Sequence, residues 1–503
     1  MMRDRIDRYS FWLIKAWNGL SLIRMTLLLF LLYTFFATIK STLYFAGEIV
    51  MDGPSYLYFD FGTLNGFFGS IRTFPYPLLI QFLNYLIPLQ ILIPFLNLFF
   101  LAFATAHLSK SFTLLRMNFA SFIFILMVLI SPVLIWVPVI GTDIPGMALW
   151  TLSFSLAART CYLGLNSKFI MTQTAFCIFI TYLLRPAYLA PAIFLFLYVC
   201  FFLVKQKNYR GAYHFLILFV IFNSLYFVPK YAVTHSPSIV DMTGGLLVGH
   251  MALLGDSQIK QDSPQIATAS KWVREAEDYL PIECKSKNIK ALQVSTEYVR
   301  YIETHNKCYS EVLTRIWTRA IFDTTNKLPL TPDYAMNEQM NAEKHAWPSS
   351  STMSLSSYHM NYSTKIDRIL LAYDLQVLKH NKMLYLKLLT LESIQVLKQL
   401  SLVQLSAPRF GLHIPIFNLG FFLLATILLQ FITRNFLPFS LRFQSYGLIN
   451  AQLFLFFPAA VLGTIITNVP HPRFFDIWIP LLVTSLLVQT QILVKGSSEL
   501  YKS

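Results

Sequence analysis

The segment GEIVMDGPSYLYFDFGTLNGFFGSIRTFPYPLLIQ, residues 47–81, lies between two strongly apolar segments. It carries acidic, basic, Gly and Pro residues that a lipid-exposed helix would not tolerate, because hydrocarbon offers polar groups no partners. We therefore expect a loop outside the bilayer. Within it, Asp52 begins a D-G-P-S-Y turn, Asp60 lies in an aromatic run, and Arg72 precedes the rigid element T-F-P-Y-P. A carboxylate just beyond a first span, with an arginine and two prolines fixing the return path, indicates a functional site.

The composition is that of a membrane protein. The chain has 503 residues, of which 55% are hydrophobic and 13% are charged, and its mean hydropathy is +0.54. These values are typical of a polytopic membrane protein. The net charge of +15 is interpreted as a topology signal, because Lys and Arg accumulate in short cytoplasmic loops. Basic residues precede the first span and no small-residue cleavage site follows it, so we expect a signal anchor.

About ten spans are predicted, since each needs about 20 mostly apolar residues. The predicted spans are residues 22–45, 86–106, 117–139, 144–160, 168–184, 187–204, 211–229, 414–433, 446–467 and 474–494. The expected fold class is therefore an all-α membrane protein. It comprises an N-terminal transmembrane module (1–229, with the outer loop 46–85), a mainly helical domain (230–413) inserted between spans seven and eight, and a C-terminal transmembrane module (414–503).

The orientation follows from the basic connections between the spans. With a cytoplasmic N-terminus, the connections 107–116, 159–168, 205–210 and 434–442 all fall inside and all carry Lys or Arg. The C-terminus is then also cytoplasmic. The acidic first loop and the domain 230–413 then face outward, away from the cytoplasm.

The outer domain contains the two cysteines that lie outside apolar segments, Cys284 and Cys308. If the domain is extracytoplasmic, a disulfide between them is plausible, and a pair of free thiols is the alternative. Its Gly-rich segment 242–256 predicts a flexible loop over the outer face. The alternative is a lid that brings His250 and Asp256 near a substrate. The apolar, lysine-dotted stretch 367–400 is too charged to span and is expected on the membrane surface or against the spans.

Several ionisable residues at span ends all face the predicted outer side, which suggests one polar pocket. They are Asp52, Asp60, Arg72, Asp143, Arg185, His471 and Arg473. Each also has a structural interpretation: Asp52 and Asp143 as helix caps, Asp60 as a structural residue of its aromatic run, the arginines as snorkelling side chains, and His471 as a loop residue. Their shared face is what favours a site.

The motifs resemble those of the GT-C superfamily of membrane glycosyltransferases. The resemblance rests on D-x-x-x-Y from Asp52, the later R-x-x-P-Y-P-L-L, Asp143 before the fourth span, and H-P-R-F with His471 and Arg473. The similarity is greatest to the protein mannosyltransferase and aminoarabinose transferase branch, which uses a polyprenyl-phosphate sugar as donor. It covers roughly the first 200 residues and the last 50. Two features differ from the usual pattern of the family. Gly53 follows Asp52 where a second acidic residue is common, and the large domain lies before the last spans, whereas many relatives carry it at the C-terminus.

The resemblance implies that Asp52 is the catalytic residue of an active site on the periplasmic side of a bacterial inner membrane. A carboxylate at a dry rim can accept the proton of an acceptor hydroxyl, in a single displacement that inverts the anomeric centre. Fixed cations suit the departing phosphate. Donor or substrate binding is assigned to Arg72, Asp143, Arg185, His471, Arg473, Tyr56 and Tyr76. No cofactor is required and no metal motif is present, although Asp52 and Asp143 could share a divalent cation.

The expected partners are a polyprenyl-phosphate sugar donor, a glycan (lipopolysaccharide or O-antigen) or protein acceptor, and the lipid bilayer. No nucleic acid is expected. The alternatives are an O-antigen ligase or polymerase, a lipid or glycan transporter, and an anchoring protein. The sequon at Asn361 leaves a eukaryotic endoplasmic reticulum open.

Overall fold

A computed structural model describes the chain in segments. These are residues 17–39, 56, 59–70, 72–87, 89–115, 117–162, 168–240, 242–254, 262–285, 288–289, 292–293, 297–325, 328–329, 352–353, 364–400, 403–407, 412–417, 447–466 and 475–488. The described chain is predominantly α-helical, so the expected helical class is confirmed at that level.

The helices of the apolar regions follow one another with short connections. They are α1 (Leu22–Ile39), α2 (Leu64–Gly69), α3 (Pro75–Asn84), α4 (Leu89–Leu114), α5 (Asn118–Ile130), α6 (Asp143–Tyr162), α7 (Lys168–Leu184), α8 (Leu189–Lys205) and α9 (Tyr209–Thr234). Two 3₁₀ turns, Pro132–Trp136 and Pro186–Tyr188, precede α6 and α8.

The polar middle of the chain and its C-terminal region contain the remaining elements. They are α10 (Thr243–Leu254), α11 (Pro264–Asp278), α12 (Tyr298–Thr325), β1 (Leu328–Pro329), β2 (Thr352–Met353), α13 (Thr364–His380), α14 (Lys382–Leu400), β3 (Val403–Ala407), β4 (Leu412–Phe417), α15 (Gly447–Ala451), α16 (Phe457–Ile465) and α17 (Ile479–Val488). A π-helical turn, Gln452–Phe456, joins α15 to α16. Strands β1 and β2 pair in parallel, and β3 and β4 pair antiparallel.

Five helices in the described part of the chain are long and apolar enough to cross a membrane. They are Leu22–Ile39, Leu92–Leu114, Pro186–Lys205, Tyr209–Thr234 and Gly447–Ile465. The chain is therefore a multi-pass membrane protein by length and composition. Other predicted spans coincide with helices that are shorter or more polar, such as α5, α6, α7 and α17. The predicted span 414–433 begins inside β4, and its remainder lies outside the described residues.

Helices α4 and α6 are joined by a buried polar network at the end of α6 that is opposite to Asp143. The Arg159 side chain donates to Ser111 Oγ at 2.7 Å, and His107 Nδ1 lies 2.8 Å from Ser155 Oγ. The sequence placed Arg159 in a cytoplasmic connection, whereas the structure places it inside α6. A helix can hold an arginine there because neighbouring hydroxyl and carbonyl oxygens accept its hydrogen bonds.

Helices α10 to α14 form a bundle with its own apolar core, which we call the α10–α14 bundle. The segment expected to be a loop or lid over the outer face is instead the buried helix α10. Its glycines explain this, because a Cβ on Gly244 would overlap the backbone carbonyl oxygen of Asp367 in α13. Small residues let two helix backbones approach closely. His250, expected in the lid alternative, is fully buried in this core, and Asp256 lies outside the described residues.

One other prediction about the bundle concerns a helix boundary. The stretch 367–400 divides into α13 and α14 around Asn381. The predicted cysteine pair, Cys284 and Cys308, forms a disulfide that ties the start of α12 to the preceding turn.

The bundle contacts the end of α9 and the end of α16. Arg368 of α13 donates to the carbonyl oxygen of Thr234 at 2.8 Å, and the Tyr385 hydroxyl of α14 donates to the carbonyl oxygen of Ile466. Lys230, buried in α9, donates to the carbonyl oxygen of Phe68 in α2 at 2.7 Å. The first loop and the bundle therefore both lie at the C-terminal end of α9.

Candidate functional site

Asp143 and Arg185 form a buried ion pair, and they come from different connections of the chain. Asp143 begins α6, where a carboxylate interacts favourably with the helix dipole. Arg185 follows α7 in an extended conformation, which the next residue, Pro186, favours. Their exposed fractions are 1% and 7%. A buried charge of each sign is stable here because each compensates the other.

Gly146 makes room for this ion pair. It lies one turn after Asp143, and a Cβ in its place would sit 3.3 Å from Arg185 Cδ and 3.2 Å from Tyr188 Cε2. Both distances are tighter than ordinary van der Waals contact. The G-T-D-I-P-G motif thus contributes the carboxylate and also the small residue against which the arginine packs.

Residues of the first loop reach the same place. The Tyr56 hydroxyl lies 3.3 Å from Thr142 Oγ1, next to Asp143. Tyr56 and Tyr76 are buried and meet edge to face, with ring centroids 5.1 Å apart. The Arg72 guanidinium carbon lies 4.8 Å from the Tyr56 ring centroid, a cation–π distance. The structure therefore brings together five of the predicted site residues: Arg72, Asp143, Arg185, Tyr56 and Tyr76.

Amide side chains hold the connections that carry these residues. Gln81 of α3 donates to the carbonyl oxygen of Phe59 at 3.0 Å, which anchors the first loop. Asn97 of α4 donates to the carbonyl oxygen of Val137 at 2.8 Å, which anchors the segment before Asp143. The Thr73 hydroxyl donates to the carbonyl oxygen of Leu183, just before Arg185. Directional bonds thus fix the first loop to α3 and to the end of α7, and fix the segment before Asp143 to α4.

An aromatic group and a second carboxylate complete this face. Tyr188 stacks on Trp478 with centroids 5.0 Å apart, and Trp150 lies 5.7 Å from Tyr188. The Trp136 indole nitrogen donates to Asp476 at 3.0 Å, which holds a second carboxylate beside the connection that leads to Asp143. We call the assembly of Tyr56, Arg72, Tyr76, Trp136, Asp143, Arg185, Tyr188, Asp476 and Trp478 the Asp143 face.

Sequence reasoning missed Asp476 and its partner Trp136. Asp476 is the last residue of P-H-P-R-F-F-D, a motif in which only His471 and Arg473 were predicted to be site residues. The available signal was an acidic residue at the start of the last apolar segment. Trp136 had no signal of its own, because its pairing with Asp476 spans 340 positions.

The remaining predicted site residues are three that lie outside the described part of the chain and Asp60, which has a structural role. Asp52, His471 and Arg473 lie outside the described residues. Asp60 accepts hydrogen bonds from the Gly62 amide at 2.7 Å and the Thr63 hydroxyl at 2.8 Å. Asp60 therefore fixes the turn before α2, which is the structural interpretation.

The described residues offer no group of three His, Cys, Asp or Glu side chains placed to hold a metal ion. The Asp143 face presents two arginines and two carboxylates beside aromatic rings. Such a surface can bind a polar group that carries both hydroxyl and anionic functions. Comparison of the chain with protein-family models, curated proteins and solved structures finds no match.

Proposed function

We propose that the protein is an integral membrane glycosyltransferase that moves a sugar from a polyprenyl-phosphate donor to an acceptor. The acceptor is an envelope glycan, such as lipopolysaccharide or O-antigen, or a protein, and the reaction takes place on the periplasmic face of a bacterial inner membrane. The observation that carries the proposal is the buried Asp143–Arg185 ion pair, around which connections far apart in sequence converge.

The donor requires a cation close to the membrane for its phosphate. A guanidinium has five N–H donors in a fixed fork that matches phosphate oxygens. Asp143 orients this fork in Arg185. Arg72, which lies beside Tyr56, provides a second guanidinium on the Asp143 face. The chain thus provides positive charge at the end of spanning helices, where the phosphate of a lipid-linked donor would lie.

The sugar requires flat apolar surfaces together with hydrogen-bonding groups. The rings of Tyr56, Tyr188 and Trp478 provide the first, and the Asp143 and Asp476 carboxylates provide the second. Aromatic side chains with a polar atom suit ligands that are apolar on one face and polar at the edge. A mixed surface of this kind supports a carbohydrate better than a purely ionic or purely apolar ligand.

In the proposed reaction, the acceptor hydroxyl oxygen bonds to the anomeric carbon as the bond from that carbon to the phosphate oxygen breaks. The electron pair of the broken bond leaves with the polyprenyl phosphate, whose charge Arg185 stabilises. The acceptor's proton passes to Asp52 as general base. A single displacement inverts the anomeric centre.

The test is transfer of radiolabelled sugar from a panel of polyprenyl-phosphate donors to an envelope extract by the purified protein. Asp52→Asn is expected to lower transfer by about 10²-fold or more, the usual contribution of a general base. Asp60→Asn is the matched control, because it makes the same carboxylate-to-amide change in the same loop and asparagine Oδ1 can still accept the bond from the Gly62 amide. It should transfer like the wild type. The proposal fails if the wild type transfers from no donor, and the assignment of Asp52 fails if both variants keep full activity.

A further inference from the structure

Helix α14 belongs to the α10–α14 bundle, and both its buried side and its exposed side are mainly apolar. Tyr385, Leu388, Glu392 and Val396 are spaced three or four residues apart and are buried. The opposite side carries Met383, Leu386 and Ile394, with exposed fractions of 76%, 56% and 46%. A helix that faces water on its outer side normally carries polar residues there. The outer side of α14 is mainly apolar.

The position of α14 relates this apolar side to the bilayer. Tyr385 donates to the carbonyl oxygen of Ile466, directly after the spanning helix that ends at Ile465. Val396 of α14 belongs to the apolar core of the spanning helices, and Leu389 packs against that core and against the core of the bundle. Helix α14 therefore runs along the spanning helices at the level where α16 ends.

The end of the spanning helix that contacts α14 also carries exposed apolar side chains. Leu462 of α16 and Ile466 just after it are 48% and 41% exposed, as expected for side chains that face lipid. Lys379 and Lys382, at the junction of α13 and α14, are also exposed. Lysines beside an apolar stripe are typical of helices at an anionic membrane surface.

We infer that α14 is an interfacial helix whose side formed by Met383, Leu386 and Ile394 is embedded in the bilayer leaflet next to the end of α16. The occupant of this side is phospholipid, with Lys382 at the level of the head groups. The inference is independent of the proposed enzymatic activity, because it rests on α14 and α16 alone. It means that the α10–α14 bundle contacts the membrane directly through α14.

The experiment places the photo-crosslinking residue p-benzoylphenylalanine at Leu386 or Ile394 in the full-length protein. Ser310, an exposed polar position of α12 in the same bundle, receives it as the matched control. Each variant is reconstituted in nanodiscs of phosphatidylglycerol and phosphatidylcholine with tritiated acyl chains, and is then irradiated. We expect labelled lipid on the protein at positions 386 and 394, at least severalfold above position 310.

Three results would overturn the inference. Lipid labelling at 386 and 394 equal to that at 310 would place this side in water. A cross-linked dimer would assign it to a second copy of the chain, and a cross-link within the chain would show that another segment covers it. Variants are compared only after they show the same elution profile and an intact Cys284–Cys308 disulfide. Met383, the most exposed of the three, is a further position if one variant does not fold.

Discussion

Arg185 and Asp143 form an ion pair between two connections that are 42 positions apart in the sequence, and both side chains are almost completely shielded from water. Removing one member of a buried ion pair leaves the other charge unpaired, which costs about 3–5 kcal/mol. Replacing both members removes the unpaired charge. Single and double variants of this pair can therefore distinguish its contribution to stability from its contribution to the proposed activity.

We predict that Arg185→Gln lowers the melting temperature of the detergent-solubilised protein and abolishes sugar transfer. The double variant Asp143→Asn with Arg185→Gln should recover much of the melting temperature, since two neutral amides replace the two charges, but it should not recover transfer. Thermal unfolding and the radiolabel assay measure the two effects on the same samples. Recovery of transfer in the double variant would show that the pair serves only stability.

The helices of the apolar regions could be predicted from the sequence because apolar runs of bilayer length are a local property. The predicted span 144–160, for example, lies within α6, Asp143–Tyr162. The sequence also predicted that Arg72, Asp143 and Arg185 belong to one site, and the structure brings these residues together through Tyr56 and Thr142. The side of the membrane on which they lie stays a prediction from the basic loops.

What the sequence could not provide depends on contacts between distant residues. Helix α10 was expected to be a loop because Gly is a poor helix former, yet Gly244 is required by the close approach of α13. The Trp136–Asp476 hydrogen bond likewise joins segments with no local relation. Local propensity is overridden where packing partners are non-local, and those partners are invisible in one sequence.

Reduction of the Cys284–Cys308 disulfide is expected to loosen the start of α12. The two cysteines are 24 positions apart, and closing a loop of that size stabilises by about 3 kcal/mol through the unfolded chain. Cys284→Ala with Cys308→Ala should therefore speed hydrogen exchange in peptides that cover 282–310. The matched control is Cys200→Ala, a free cysteine in α8. Unchanged exchange in the double variant would contradict the prediction.

Gly244→Ala is expected to destabilise the packing of α10 against α13. The added Cβ would overlap the Asp367 carbonyl oxygen and the Leu371 amide nitrogen, both of which are backbone atoms that cannot rotate away. Overpacking of this kind typically costs about 1–3 kcal/mol. Gly463→Ala in α16 is the control, since the nearest atom to its Cβ is 3.9 Å away. Hydrogen exchange in α10 and α13 should rise only in the first variant.

Glu392 gives the bundle a pH-dependent stability. Its side chain is fully buried near Asn306, and burial raises its pKa from 4.5 to about 8, although the Asn306 hydrogen bond opposes the shift. The folded state thus holds a proton that the unfolded state releases at lower pH. The stabilising contribution is present below about pH 4.5 and is lost as the pH rises through about 8.

His305 has the opposite sign, because burial, and to a smaller extent His250, lowers its pKa well below 6.5. Its contribution is therefore lost only as the pH falls below 6.5. Asp374, whose pKa is raised by burial and by Asp367, acts in the same direction as Glu392. Between pH 6.5 and about 8, the stability of the bundle should fall because of the buried carboxyl groups.

Glu392→Gln should reduce this fall, since the amide has no proton to release and can still pair with Asn306. The measurement is the melting temperature, or hydrogen exchange in α12 and α14 with rates corrected for intrinsic pH dependence, at several values across that range. Glu303→Gln, which changes an exposed carboxylate of α12, is the control and should follow the wild type. If the stability of Glu392→Gln falls as steeply with pH as that of the wild type, the prediction is wrong. Glu392 would then already be ionised in the folded protein at pH 6.5.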